Sequence, residues 1–454
     1  MKITLTETKV FVFLTTLLVF LDMRPYIVWS GFSVLGYRIY TALILVVTFY
    51  MGYRILSKKK VVVGPTVPDL TEKNKIHSSL LLASALIVIL FFYEVFLSGV
   101  VTVTQQPFNM AMLCVHVGLM LFTLQDCNVL QRVFVATKNI FAIILIPAIF
   151  VFLLLQMGIT VPSTSIVASE GINGAVRSYD LYLGLAVMIR QGGIEFLNRL
   201  CGLFEEPGFV GTMGVFFLLG DKLTLKKWQN VVILIACFFT FSLAFVFLLL
   251  IGLLLRLIGN LKQRTYFVLS LILIASLVVG YFIFMSLPLT GTLGELQARM
   301  VITEDGLVGD NRFGSSDLAV AAYDNFMKSD LRTRLFGYGQ DNRVIPGTEI
   351  SIWMKVHSYK EFIFGFGFIG FGILILALIC TYAAKFLRTP RGKKWSLMVL
   401  LIVFLISIYQ RYGVAKFHYF CVLFGGGANL ALMDGEDDKK SASCPEGTVM
   451  KSLP

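Results

Sequence analysis

Arg199, Glu206 and His357 are the side chains whose type and position could do chemistry in this chain. The first two belong to one run, Arg199-Leu-Cys-Gly202-Leu-Phe-Glu-Glu206-Pro207-Gly208-Phe-Val-Gly211-Thr212, where a polar segment turns into an apolar one. An arginine's planar fork donates two hydrogen bonds to one phosphate, which suits it to an anionic substrate. Pro207 disfavours the α region for Glu206 and fits the first position of a helix, where its missing N–H is not needed. The amides of Gly208, Phe209 and Val210 then form a helix N-terminus, itself an anion site. If residues 194–206 are helical, Arg199, Gly202 and Glu206 share a face. Two roles fit Glu206, base or helix cap. Three fit Arg199: substrate ligand, partner of Glu206, or a side chain snorkelling to lipid headgroups.

His357 opens the second constellation, His357-Ser-Tyr359-Lys-Glu361, which leads into Phe-Gly365-Phe-Gly367. Neutral imidazole has the pKa range of a general base, and Glu361, one turn on, could orient it. The competing reading is an ordinary histidine at a membrane boundary. Arg343 precedes it in the same segment, with Arg312, Arg332 and Arg334, and nine acidic residues there make surface pairing an alternative for some of them. Arg411, Lys416 and His418 cluster around a late turn and could add to an anion site or meet lipid headgroups. Arg38 and Glu94 lie within apolar runs, where ionisable residues usually pair. Lys138 lies about two turns inside another run and reads as snorkelling out of it.

The elements that must position these groups are apolar. Hydrophobic residues make up 57% of the 454, charged residues 15%, and the mean hydropathy is +0.81. Such a chain is expected to be an all-α polytopic membrane protein with about twelve transmembrane helices. The expected spans are 9–23, 34–56, 77–97, 107–125, 132–156, 207–221, 228–241, 243–260, 265–287, 358–384, 395–410 and 416–433. Ser242 does little to divide the seventh from the eighth. The first run ends at Asp22 and Arg24 without a cleavage site, so it reads as a helix rather than a removed signal. With the N-terminus inside, one set of short loops collects nearly all the lysines and arginines, Lys222, Lys226 and Lys227 among them. That bias accounts for most of the net charge of +12 without nucleic acid.

Two long outer loops remain, 157–206 and 288–357, and residues 434–454 form a polar inner tail after the membrane domain 1–433. In the second loop, Ser315-Ser-Asp317 followed by Leu318, Ala321, Ala322 and Phe326 predicts a capped amphipathic helix ending near Ser329-Asp330. In the first, Leu181 to Ile189 is too short to span and reads as re-entrant or interfacial. The seven cysteines are scattered, with no metal spacing and no disulfide framework, and no cofactor is called for.

The Arg199-x-x-Gly-x-x-x-Glu-Pro-Gly element, the late loop with Phe-Gly-Tyr-Gly at 336–339, and His357 entering a Gly-rich span resemble the Wzy-type polysaccharide polymerases of the O-antigen ligase/polymerase superfamily. The resemblance implies a GT-C-like helical fold in the bacterial inner membrane and a metal-independent inverting glycosyltransferase working on its outer face. The donor would be a glycan on undecaprenyl diphosphate and the acceptor a sugar hydroxyl of an incoming lipid-linked repeat unit. A chain-length regulator and a flippase would be partners, beside membrane lipids. On this reading His357, Glu206 and Glu361 are catalytic, and Arg199, Arg312, Arg343, Tyr359, Arg411 and Gly208 hold substrate. Ser358 stands where ligases carry asparagine, which sets polymerase ahead of ligase; a lipid-linked oligosaccharide flippase is the alternative from another class.

Overall fold

The computed structural model describes residues 2–26, 33–57, 81–90, 117–119, 121–167, 178–190, 198–260, 281–288, 301–303, 306–307, 317–338, 359–388, 394–408 and 416–433, with a few isolated positions. Its main helices are α1 (Lys2–Asp22), α2 (Ser33–Ser57), α3 (Cys127–Gln156), α4 (Pro207–Gly220), α5 (Trp228–Phe239) and α6 (Leu243–Asn260). Then follow α7 (Asp317–Lys328), α8 (Leu331–Phe336), α9 (Tyr359–Arg388), α10 (Lys394–Ile408) and α11 (Phe417–Met433). The last contains a π turn at Cys421–Gly425.

Helix α4 is the centre. It is apolar all round, and such a helix must be covered all round. Every residue from Phe209 to Gly220 is buried, against α5, α6, α10, α11 and a strand. Each fully buried Phe, Leu or Met there contributes roughly 1.5–3 kcal/mol. Gly214 lets α5 approach, since a Cβ at that position would collide with the Cys237 sulfur.

The segment expected to be helical before Pro207 is extended. Strands β1 (Ser163–Val167), β2 (Ser178–Tyr182), β3 (Ala186–Arg190) and β4 (Asn198–Gly202) form an antiparallel sheet in sequential order. The run Leu181 to Ile189, expected as a re-entrant or interfacial stretch, is extended and paired. It is the β2–β3 hairpin, pairing Tyr179 with Ile189 and Tyr182 with Ala186 around a turn with positive φ at Leu183 and Gly184. In β4, Leu200 packs into the main core and Cys201 into a smaller cluster with Tyr179 and Val187. This opposite-face alternation is that of a strand. Arg199, Gly202 and Glu206 therefore do not share a helical face.

Helix α7 runs where the pattern predicts it. After it, α8 and α9 meet backbone to backbone at two glycines. Gly337 (φ 78°) ends α8, and Gly367 (φ 67°) interrupts α9. The Tyr338 amide donates to the Phe364 carbonyl at 3.0 Å. A Cβ on Gly337 would lie 2.6 Å from the Gly367 nitrogen.

The expectation of about twelve transmembrane helices is corrected. Among the described residues two helices, Cys127–Gln156 and Phe362–Ala383, are long and apolar enough to cross a membrane. Several expected spans are shorter apolar helices, including Leu81–Leu90, Pro207–Gly220 and Trp228–Phe239. The 14 residues of α4 reach about 21 Å, short of the roughly 30 Å of a bilayer's hydrocarbon. An apolar run measures hydrophobicity and says nothing of what covers it; α4 is apolar because protein surrounds it. Helices α1, α2 and α3 also expose large apolar side chains, Phe13, Phe49 and Phe150 among them. The GT-C-like polytopic fold and the multi-pass inner-membrane placement are not supported.

Candidate functional site

Asp221 caps the C-terminus of α4, and its side chain is completely buried. Isolated burial of a carboxylate is costly unless cations and hydrogen bonds compensate it. Four side chains do so. Lys138 of α3, itself buried, is ion-paired to Oδ2. Lys227 places Nζ 2.6 Å from Oδ1. Asn230 donates to Oδ2 at 3.0 Å, and Asn429 of α11 donates to Oδ1 at 3.2 Å. Burial alone would raise the Asp221 carboxyl; hydrogen bonds from Lys138 and Lys227, together with their charges, outweigh it and hold the group below its ordinary range. Lys138 thus does not snorkel outward as the sequence reading has it. It is committed to Asp221 in the interior.

A pocket of about 840 Å³ lies over this centre, at the joint start of α3 and α5 and the end of α11. Lys222, Lys226 and Lys227 line it, with Asn128, Gln131 and Asn429 on the helix walls. A tight turn presents the lysines: Lys222 and Leu223 take φ of 55° and 52°, and the Leu223 amide donates to the Leu218 carbonyl at 2.7 Å. The turn is tied to the buried network, because the Thr224 carbonyl accepts from Asn230 at 3.0 Å. Lys226 is exposed, and Lys227 keeps 39% of its side-chain exposure while touching Asp221. Asn128 and Gln131 stand in the first turns of α3, and Lys227 is the N-cap of α5, so both helices turn their positive ends this way. The carbonyls ending α4, which would repel an anion, are covered. Arg256 donates to that of Leu219, and Asn429 to that of Gly220 at 2.9 Å. Asn429 in turn accepts from Gln131 at 3.1 Å.

A second buried polar centre joins the first helix to the last. Asp22, at the end of α1, accepts from the His418 backbone amide at 3.0 Å and meets His418 Nδ1 at 2.7 Å through Oδ2. Tyr40 of α2 donates to Oδ1 at 2.8 Å. The His418 ring also packs edge-on against Phe209, three residues after Glu206. Burial would raise the Asp22 carboxyl, but His418, by charge and hydrogen bond, and the Lys416 charge lower it overall. His418 is locked into the interior.

Of the other sequence-derived candidates, Arg199, Glu206, Gly208 and Tyr359 fall among the described residues, on β4, at the start of α4 and at the start of α9. The side chain of Arg199 extends from β4 to the end of α5, with Nε 3.0 Å from the Thr240 carbonyl and a terminal nitrogen 3.3 Å from that of Phe241. It caps a helix C-terminus, where a cation is favoured. Glu206 is the extended N-cap of α4, with Pro207 first in the helix and Gly208 second, but its carboxylate makes no capping hydrogen bond. A neighbouring ion pair, Arg24–Glu205 at 3.4 Å, closes that end of the chain. Tyr359 begins α9 and packs on Phe371. His357, Arg312, Arg343, Arg411, Glu94 and the tail 434–454 lie outside the described residues, as does the side chain of Glu361. Asp221, Asn230 and Asn429 were not singled out from the sequence. The available signal was a lone aspartate ending an apolar run and followed at once by lysines.

No protein-family model, no curated protein and no solved structure matches the chain. The resemblance to Wzy-type polymerases therefore gains no support from comparison, and among the described residues the multi-span architecture that would house such an active site is not found. The glycosyltransferase activity and its ligase and flippase alternatives do not stand. Neither do the undecaprenyl-diphosphate-linked substrates, the lipid contacts and the pathway partners attached to that reading.

Proposed function

We propose that this protein binds a small phosphate-bearing anion in the pocket formed by Lys222, Lys226 and Lys227. The observation that carries this reading is the convergence of three lysines on a cavity whose one buried carboxylate, Asp221, is already matched by a lysine from the interior. With Lys138 offsetting the charge of Asp221, Lys226 and Lys227 leave the pocket positive. Two helix N-termini add to it, and such termini favour phosphate groups. Lysine suits this role as a mobile point charge with three donors. The volume falls within the few hundred to one thousand Å³ usual for small-molecule sites.

The test is calorimetric titration of inorganic phosphate into the intact chain, beside Lys226→Gln/Lys227→Gln. Saturable binding weakened at least about tenfold in the double variant is expected, in line with the loss of two charge-assisted contacts. Absence of phosphate binding, or equal affinity in the two proteins, would overturn the proposal.

A further inference from the structure

The lysines occupy only part of the pocket lining. Leu225, Leu432, Met433 and Val135 line it too, beside the polar Asn128, Gln131, Thr224 and Asn429. Leu225 is 55% exposed at the tip of the lysine turn, so its side chain faces the space that a ligand would fill. Leu432 and Met433 lie one turn beyond Asn429 on α11, and the Met433 sulfur accepts from the Asn429 amide at 3.3 Å. That amide also reaches Asp221, so the apolar wall is tied to the polar floor. Inorganic phosphate would satisfy the lysines and leave this wall wet. The volume greatly exceeds that of one phosphate. On the polar side, Gln131 has spent one amide proton on Asn429, and its carbonyl oxygen can accept from a ligand hydroxyl or amine.

We infer that the ligand is an amphiphilic organic phosphate, with its anionic head on Lys226 and Lys227 and an aliphatic or aromatic body against Leu225, Leu432 and Met433. This rests on the anion-binding reading above and narrows it to a ligand class. Single-stranded nucleic acid is disfavoured, because its bases bind by stacking on aromatic rings and none is among the described residues that line the pocket. Polyanions such as inorganic triphosphate are disfavoured too, since their charge would extend onto the apolar wall.

The experiment compares n-hexyl phosphate with inorganic phosphate on the full chain and on Leu225→Ser, a substitution at an exposed position that leaves the core intact. Burial of a few methylenes predicts hexyl phosphate binding at least about tenfold more tightly. Leu225→Ser should reduce that preference several-fold while leaving phosphate affinity unchanged. If both phosphates bind equally, the apolar wall takes no part and the inference fails while the anion site stands. If Leu225→Ser keeps the full preference, the hexyl chain lies elsewhere and the inference fails again. If neither phosphate binds, the anion site itself is refuted.

Discussion

At the scale of single residues, Asp221 is the group on which most depends. Its carboxylate and the Lys138 ammonium are both removed from water, and each relies on the other, with Lys227, Asn230 and Asn429 completing the network around Asp221. Removing one partner of such a pair leaves an uncompensated charge and costs about 3–5 kcal/mol. Asp221→Ala should therefore lower the denaturation midpoint severely. The double variant Lys138→Met/Asp221→Leu should recover most of the loss, because well-packed apolar groups often replace a buried pair at little cost. A denaturant titration of the three proteins checks this. Equal damage in the single and double variants would mean that the pair is not what holds this point together.

Asp22 gives a prediction in pH. Its folded pKa lies below the ordinary 3.8, so the folded state holds the ionised form more strongly than the unfolded chain does. Its contribution is fully present above the ordinary value and disappears as pH falls through the lowered one. The stability advantage of the natural protein over Asp22→Asn should shrink progressively below about pH 4. Thermal melts of the pair across that range measure it. An advantage unchanged down to pH 2 would show that Asp22 does not titrate with folding.

At the scale of elements, the glycine contact between α8 and α9 is the sharpest constraint. Gly367 has a positive φ in the middle of a helix, and its backbone lies against Gly337. Alanine there meets both an unfavourable backbone region and a collision, at a cost of about 1–3 kcal/mol. Gly367→Ala should raise amide exchange in Leu331–Phe336 and leave α4 and α5 protected. Unchanged exchange in α8 would show that the two helices do not depend on this contact. The sequence singles out the glycine-rich runs at 336–339 and 365–367 but offers no sign that they touch, because their contact joins positions thirty residues apart.

Helix positions were legible because apolar periodicity and breakers mark them: Pro207 starts α4, and the Asp317 pattern gives α7. The strands before Pro207 were not. Leu200 and Cys201 are both buried, each on its own face, so β4 lacks the apolar–polar alternation that announces a half-exposed strand. Arg199 looked like a substrate ligand because an arginine beside a helix start is chemically apt. Two groups it meets, the carbonyls of Thr240 and Phe241 at the end of α5, lie forty residues on and have no side-chain signature.

For the whole molecule, hydropathy overstated what it could decide. It counted apolar residues but could not separate those covered by protein, as in α4, from those left exposed, as in Phe49 and Phe150. Charge misled in the same way. The lysines at 222, 226 and 227 fitted a side bias along the chain, and only the fold shows them converging with α3 and α11 over Asp221. Lys138 and Asn429, far apart in sequence from that turn, stabilise the carboxylate beneath it, the lysine by opposing its charge and the asparagine by a hydrogen bond. A residue-by-residue reading cannot supply that arrangement.

The most direct measurement is lysine footprinting. The folded chain is acetylated with and without inorganic phosphate, and modification at each lysine is quantified by peptide mass spectrometry. Phosphate should protect Lys226 and Lys227 several-fold while exposed Lys9 and Lys328 react as before. Protection that is uniform across all four lysines, or absent from Lys226 and Lys227, would contradict an anion site at this pocket.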